Sequence, residues 1–163
     1  MANTQSMCTS FMQQLMVGEH QLGTATLVSR TSLTAPTTDT LKAALYLTTA
    51  TVNAATTAYS ASNEVSGTGY VAGGVTVTNA TAPNSTNTTA TAGVAFFTPS
   101  ASITYTTVTL ATAFDAVLIY NSTQSNKAIS VHTFGSQTIT AGTFTLTMPA
   151  NTTSTALIRL ATT

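Results

Sequence analysis

The sequence predicts an all-β protein: an antiparallel β-sandwich, jelly-roll-like, of about eight strands, preceded by a short N-terminal helix and an extended arm. Three observations predict it. From Leu41 onward, apolar residues recur at every second position in short runs. Clusters of Gly, Asn, Pro and Ser separate those runs. Thr and Ala make up about 40% of the 163 residues, and Thr suits a strand, because its β-branch favours extended backbone and its hydroxyl faces water or a cross-strand neighbour. No helical period follows residue 40, and no internal repeat is present.

Residues 1–40 form a first region, helix and arm, and 41–163 the sandwich domain. Thr9 or Ser10 caps the expected helix. Phe11, Met12, Leu15 and Met16 then fall on one helical face, and Gly18 stops it. A helix of about two turns is not stable alone, so it must dock, either on its own domain or on a partner. Residues 23–39, Thr- and Ser-rich with Pro36, read as an arm. In Leu41–Leu47, Leu41, Ala43, Leu45 and Leu47 share one face. Residues 53–74 are loop-like. Val75 and Val77 mark a second strand, and 79–93 an exposed excursion. Val94–Phe97 is a short strand closed by Pro99. Ile103, Tyr105, Val108 and Leu110 alternate with polar residues. Phe114–Tyr120 is the most apolar stretch and the expected central strand. Residues 121–126 (NSTQSN) form a turn. Ala128–Phe134 and Thr138–Thr140 are strands, Ala141-Gly142 a hairpin turn, and Phe144–Met148 and Thr155–Leu160 the last strands.

Charge narrows the function classes. Only 5% of residues are charged, with formal net charge zero, against about 25% in an ordinary domain. Four dispersed cations cannot support electrostatic nucleic-acid binding or a polybasic membrane anchor. No apolar run approaches the roughly 20 residues of a membrane span. Residues 1–17 lack the charged n-region and apolar h-region of a secretory signal, so synthesis in a cytoplasm is expected. A single cysteine, Cys8, excludes an internal disulfide and reads as an idle or buried thiol.

Catalysis needs converging ionisable groups, and the sequence offers few. The four acids, Glu19, Asp39, Glu64 and Asp115, share no motif, so neither a carboxylate dyad nor a metal site is expected. The neighbours Glu19 and His20 point in different directions. His132 is expected on an exposed strand face. Asp115, opening the most apolar strand, needs a partner, with Lys127 or Arg159 the natural candidate. The run Gly67–Gly74 (GTGYVAGG) fails as a phosphate loop, since no Lys and no helix follow it, and reads as a turn needing positive φ. The chain is read as a non-enzyme without cofactor or metal.

A near-neutral surface with unblunted strand edges favours association. Interface cores are enriched in Tyr, Phe and Met. Tyr105 and Tyr120 are assigned to the core. Phe11, Met12, Leu15 and Met16 on the helix, with Tyr59 and Tyr70 in the loop region, are the candidate partner-interface residues.

The blocks LKAALYLTTATVNAATTAYSASNEVSGTGYVAGGVTVT, AFDAVLIYNSTQSNKAISVHTFG, FTLTMP and ALIRLA resemble a family of small structural proteins of tailed bacteriophages. The "ALY…TTAYS…NEVSGTGYVAGG" block and the "LIYNST" strand-turn carry the resemblance, which spans residues 41–161. Similar small all-β phage proteins serve as capsid cement or decoration proteins, jelly rolls bound as dimers or trimers over capsid-protein junctions. The resemblance thus implies a virion structural protein on the capsid exterior. Its partners would be the major capsid protein and copies of itself, with no nucleic acid and no membrane. The alternative is a tail, adaptor or fibre-associated protein, with Tyr59 and Tyr70 as stacking platforms for a host sugar. No catalytic residue is carried over.

Overall fold

A computed structural model describes residues 3–16, 18–20, 22–23, 38–86 and 93–161, with backbone alone at Gln13 and Met16. Its elements are β1 (Ser6–Met7), α1 (Thr9–Met16), β2 (Leu41–Leu47), β3 (Val75–Thr76), β4 (Asn84–Thr86), β5 (Val94–Phe97), β6 (Ile103–Asn121), β7 (Lys127–Leu146) and β8 (Ile158–Ala161). The eight strands form two antiparallel sheets, a five-stranded one in the order β1-β7-β6-β2-β3 and a three-stranded one in the order β4-β5-β8. This is the expected β-sandwich class. Most of the expected arm, residues 24–37, lies outside the described residues.

α1 follows the local sequence at both ends. Gly18, at φ +76°, takes the left-handed position after the last turn. Its N–H donates to the Leu15 carbonyl, and the Glu19 N–H to that of Gln14, so the last carbonyls of the helix are satisfied. The start differs from expectation. The helix already includes Thr9 and Ser10, so Cys8 holds the position before it, and the Ser10 hydroxyl has no hydrogen-bond partner.

The stretch expected to be central is central: β6 lies third of five, and Ala116–Asn121 are buried without a break. Six consecutive buried residues mean that both faces of the sheet are covered. On one face, Tyr46 and Tyr120 lie under residues 53–74, with Tyr59 stacked on Tyr120 at 4.7 Å between ring centroids. On the other, Val117 and Ile119 face Ile103, Leu146, Met148 and Leu157 across a cavity of about 120 Å³. At roughly 25 cal/mol per Å² of apolar surface, this two-sided burial is the main stabilising contribution of the sheet.

The five strands expected between residues 103 and 148 are two. β6 and β7 make one long hairpin, closed at the expected turn by Ser125 (φ +54°) and Asn126 (φ +59°). Its pairing shifts register at five places. Phe134 and Phe144 show the consequence. Ten strand residues span about 33 Å when straight, yet these two rings lie 5.2 Å apart and both meet Phe114. The hairpin therefore bends over itself around a phenylalanine cluster. The expected breaks at 111–113, 135–137 and 141–143 lie inside continuous strands. Ala141-Gly142 is not a hairpin turn: Ala141, at φ +46°, kinks β7 while its N–H donates to Thr109 Oγ1 of β6.

Candidate functional site

Every acidic side chain of the chain lies among the described residues, and each fastens a covering segment to the sheet. Glu64 is the hub of the loop region. Its Oε2 accepts from the Tyr59 hydroxyl at 2.6 Å. Its Oε1 accepts from the Tyr70 hydroxyl and the Gly73 N–H, both at 2.7 Å. Tyr70 in turn accepts from the Leu45 N–H and stacks on Tyr105, whose hydroxyl donates to the Ala43 carbonyl. Burial, aided by the Glu64 carboxylate, pushes the Tyr59 and Tyr70 hydroxyls far up. Burial, with the Glu64 charge adding to it and the hydrogen bond to the Ser60 carbonyl opposing it, takes Tyr46 up to about 12. These phenols are fixed donors.

The glycine run reads from the same contacts. Gly74, at φ +73°, passes so close to β2 that an added Cβ would sit 1.6 Å from the Ala43 carbonyl oxygen. A Cβ on Gly67 would sit 2.1 Å from the Thr109 carbonyl oxygen. The loop lies backbone-to-backbone on β2 and β6, which only glycine permits. The expected turn with positive φ is present at Gly69, Gly73 and Gly74.

The other three acids hold the N-terminal region. Glu19 pairs with Lys127 at the start of β7. Asp39, 4% exposed, accepts from Asn121 Nδ2 at 2.6 Å and from Gln124 Nε2 at 3.3 Å. Asn121 is fully committed. Its Oδ1 accepts the Thr123 and Gln124 N–H groups, so only its amide hydrogens face His20 Nδ1, 2.9 Å away. Nδ1 therefore carries the lone pair, and Nε2–H donates to Gln14 Oε1. Burial lowers the His20 pKa against the pull of Asp39 and Glu19. Asp115 accepts from Asn3 Nδ2 at 2.5 Å, not from Lys127 or Arg159. Asn3 also donates to the Leu47 carbonyl and accepts from the Val52 N–H. One neutral amide thus anchors both the chain start and the β2–loop junction. Arg159 sits on edge strand β8.

His132 is not the exposed strand residue expected. It lines the smaller cavity, accepts from or donates to Ser130 Oγ at 2.9 Å, and is pushed down to about 4 by burial. Cys8 is buried, with its thiol pushed up to about 11 by desolvation, and so is a weak nucleophile. Among the described residues no group of three His, Cys, Asp or Glu is placed to hold a metal, and no helix is long and apolar enough to cross a membrane.

The six candidate interface residues separate. Phe11 is withdrawn from any partner surface: it is fully buried in the domain core and packs edge-on against His20 at 4.9 Å. The helix docks on its own domain because its apolar face is needed to cover β7. Met12, 42% exposed, is left on the outside. Leu15 is half-buried and lines an apolar cavity of about 220 Å³ with His20, Leu22, Phe96, Ile158 and Leu160. The Met16 side chain lies outside the described residues. Tyr59 and Tyr70 are half-buried, and the loop lock uses both hydroxyls and one ring face of each.

Sequence reasoning missed Glu64 as a hub and Asn3 and Asn121 as anchors. Glu64 carried one readable signal: it is the only charge between Lys42 and Asp115, and it stands between two tyrosines and four glycines. No protein-family model, curated protein or solved structure matches the chain.

Proposed function

We propose that the chain is a structural protein of a bacteriophage virion, a capsid cement or decoration protein that binds the outer shell and stabilises junctions between capsid subunits. The observation that supports it best is the use of charge. Glu19, Asp39, Glu64 and Asp115 all serve as internal fasteners, and the remaining surface is mostly Thr, Ala, Ser and Asn. A surface of this kind neither steers a charged ligand nor resists association. It suits a protein that works while covered by neighbours. The resemblance of residues 41–161 to small phage structural proteins points the same way.

The mechanism is linkage. A protein that binds the assembled shell and not its free subunits stabilises the shell by RT ln(1 + [L]/Kd) per site. Contacts without charge pairs bind through apolar area and hydrogen bonds, so the affinity should be nearly independent of ionic strength. The test is the copy number in purified particles by quantitative mass spectrometry. Cement requires hundreds of copies per particle. A dozen or fewer contradicts it and favours the tail, adaptor or fibre-associated alternative.

A further inference from the structure

Around the turn-proximal half of the hairpin the backbone edges of the five-stranded sheet are closed. Along the outer edge of β2, β3 pairs with Lys42 and Ala43. Backbone bonds of Val77 to Leu41, of Val65 to Leu45 and of Leu47 to Asn63 cover the remainder. The first part of β7 is closed likewise. β1 pairs with Ser130 and Val131, the Cys8 N–H donates to Ile129, and the Ala128 N–H to Thr57. Beyond His132 the cover stops. From Thr133 to Leu146, among the described residues, β7 exchanges backbone bonds with β6 and with nothing else. The edges of the small sheet, β4 and β8, are only three and four residues long.

The open edge lacks most of the devices that keep edges apart. Proteins blunt such edges with Lys, Pro, inward charges or bulges, and of these only irregular pairing with β6, on either side of Gln137, is present here. Residues 128–158 contain no Asp, Glu, Lys or Arg, and no Pro occurs before Pro149. The kink at Ala141 leaves a run of eight residues, 133–140 (TFGSQTIT), ahead of it, within which the pairing to β6 shifts register on either side of Gln137. Gly135 to Thr138 are exposed, and nothing lies within 4 Å of the place a Gly135 Cβ would take.

We propose that this edge of β7, residues 133–140, is the docking strand for the same edge of a second copy, the two pairing antiparallel about a two-fold axis. This deepens the assembly reading, on which its purpose rests, by naming one partner. The occupant is a second copy because the edge is complementary to itself. A two-fold contact sets residue i against residue j and j against i; centred between Ser136 and Gln137, it sets Ser136 against Gln137, Thr133 against Thr140 and Phe134 against Ile139. The polar pairs hydrogen-bond across strands, whereas like charges would repel. A net charge of zero adds no repulsion at longer range.

The test is the mass in solution of the whole chain by sedimentation. Wild type is expected at twice 16.6 kDa at about 100 μM. The variant Ser136→Lys/Thr138→Lys should weaken association about tenfold or more while keeping the wild-type circular dichroism. Ser136→Glu/Thr138→Glu should do the same, and mixing the two variants should restore dimers. Rescue by opposite charge requires both variants to be folded and the two edges to face each other. Thr104→Lys/Thr106→Lys, exposed on β6, should leave dimerisation unchanged. A monomeric wild type, a trimer, failure of the mixture to reassociate, or equal loss in the β6 control overturns the proposal. Copy number in particles is read separately: a monomer present in hundreds of copies sinks the edge contact alone, and a dimer present in a dozen copies sinks the cement reading alone.

Discussion

The two halves of the β6–β7 hairpin differ in composition and in surroundings. In the half next to the turn, Ala116–Asn121 and Ala128–Val131 are buried without interruption. In the far half, Gly135–Thr138 are all exposed, and elsewhere buried and exposed residues interleave. The covers make the difference. The N-terminal segment and the 48–77 loop close over the first half, and no comparable segment among the described residues reaches the far edge of β7. Charge follows the covers. All four acids, both histidines and Lys42 and Lys127 sit in or against the covered half, while residues 128–158 carry only His132 among ionisable side chains. The low charge of this chain is thus unevenly spent, on fixing loops rather than on a solvent shell.

The largest expected effect separates two glycines. Gly74→Ala puts a methyl group into the Ala43 carbonyl at positive φ, and should cost about 3 kcal/mol or more. Gly135→Ala, in the open half, should stay within about 0.5 kcal/mol of wild type. Urea midpoints of the two variants check the contrast, and a severe loss at Gly135 would break it.

Next comes the hub. Glu64→Ala strands two tyrosine hydroxyls and one N–H that now share its carboxylate, and should cost about 2–3 kcal/mol. Its local signature is faster amide exchange across residues 53–74, with the far half of the hairpin unchanged.

Acid should act through the histidines of the covered half. Folded His132 stays neutral down to about pH 4, whereas an unfolded chain protonates near pH 6.5. Between those values the unfolded state binds more protons, so stability falls as pH drops from about 6.5 to about 4, by up to about 3 kcal/mol. His20, also lowered by burial, adds in the same direction. Denaturation at pH 7.5 and 4.5 should show this loss in wild type and a smaller one in His132→Gln. An equal loss in both would assign the effect elsewhere.

Much of the architecture was legible because it is local. Strict alternation marked Leu41–Leu47, the apolar run 114–120 marked the centre, and Gly18 and NSTQSN marked a helix end and a turn. Three kinds of feature were not legible. Continuous strands with internal bends looked like separate strands, because a bulge and a turn use the same Thr-, Gly- and Ala-rich signals. The partner of Asp115 was sought among cations, yet a neutral amide 112 residues away supplies it. Tyr59 and Tyr70 looked like contact residues because a loop tyrosine and a locked tyrosine read alike. Only the fold brings both hydroxyls onto the Glu64 carboxylate.

Hydrogen exchange at two protein concentrations tests the central contrast most directly. In dilute solution, amides of residues 129–131 should exchange slowly and outward-facing amides of 133–140 fast. At about 100 μM, protection should appear in 133–140 and nowhere else, as a second copy closes the open edge. Slow exchange of 133–140 at every dilution, or protection arising on α1 or β8 instead, would contradict the account.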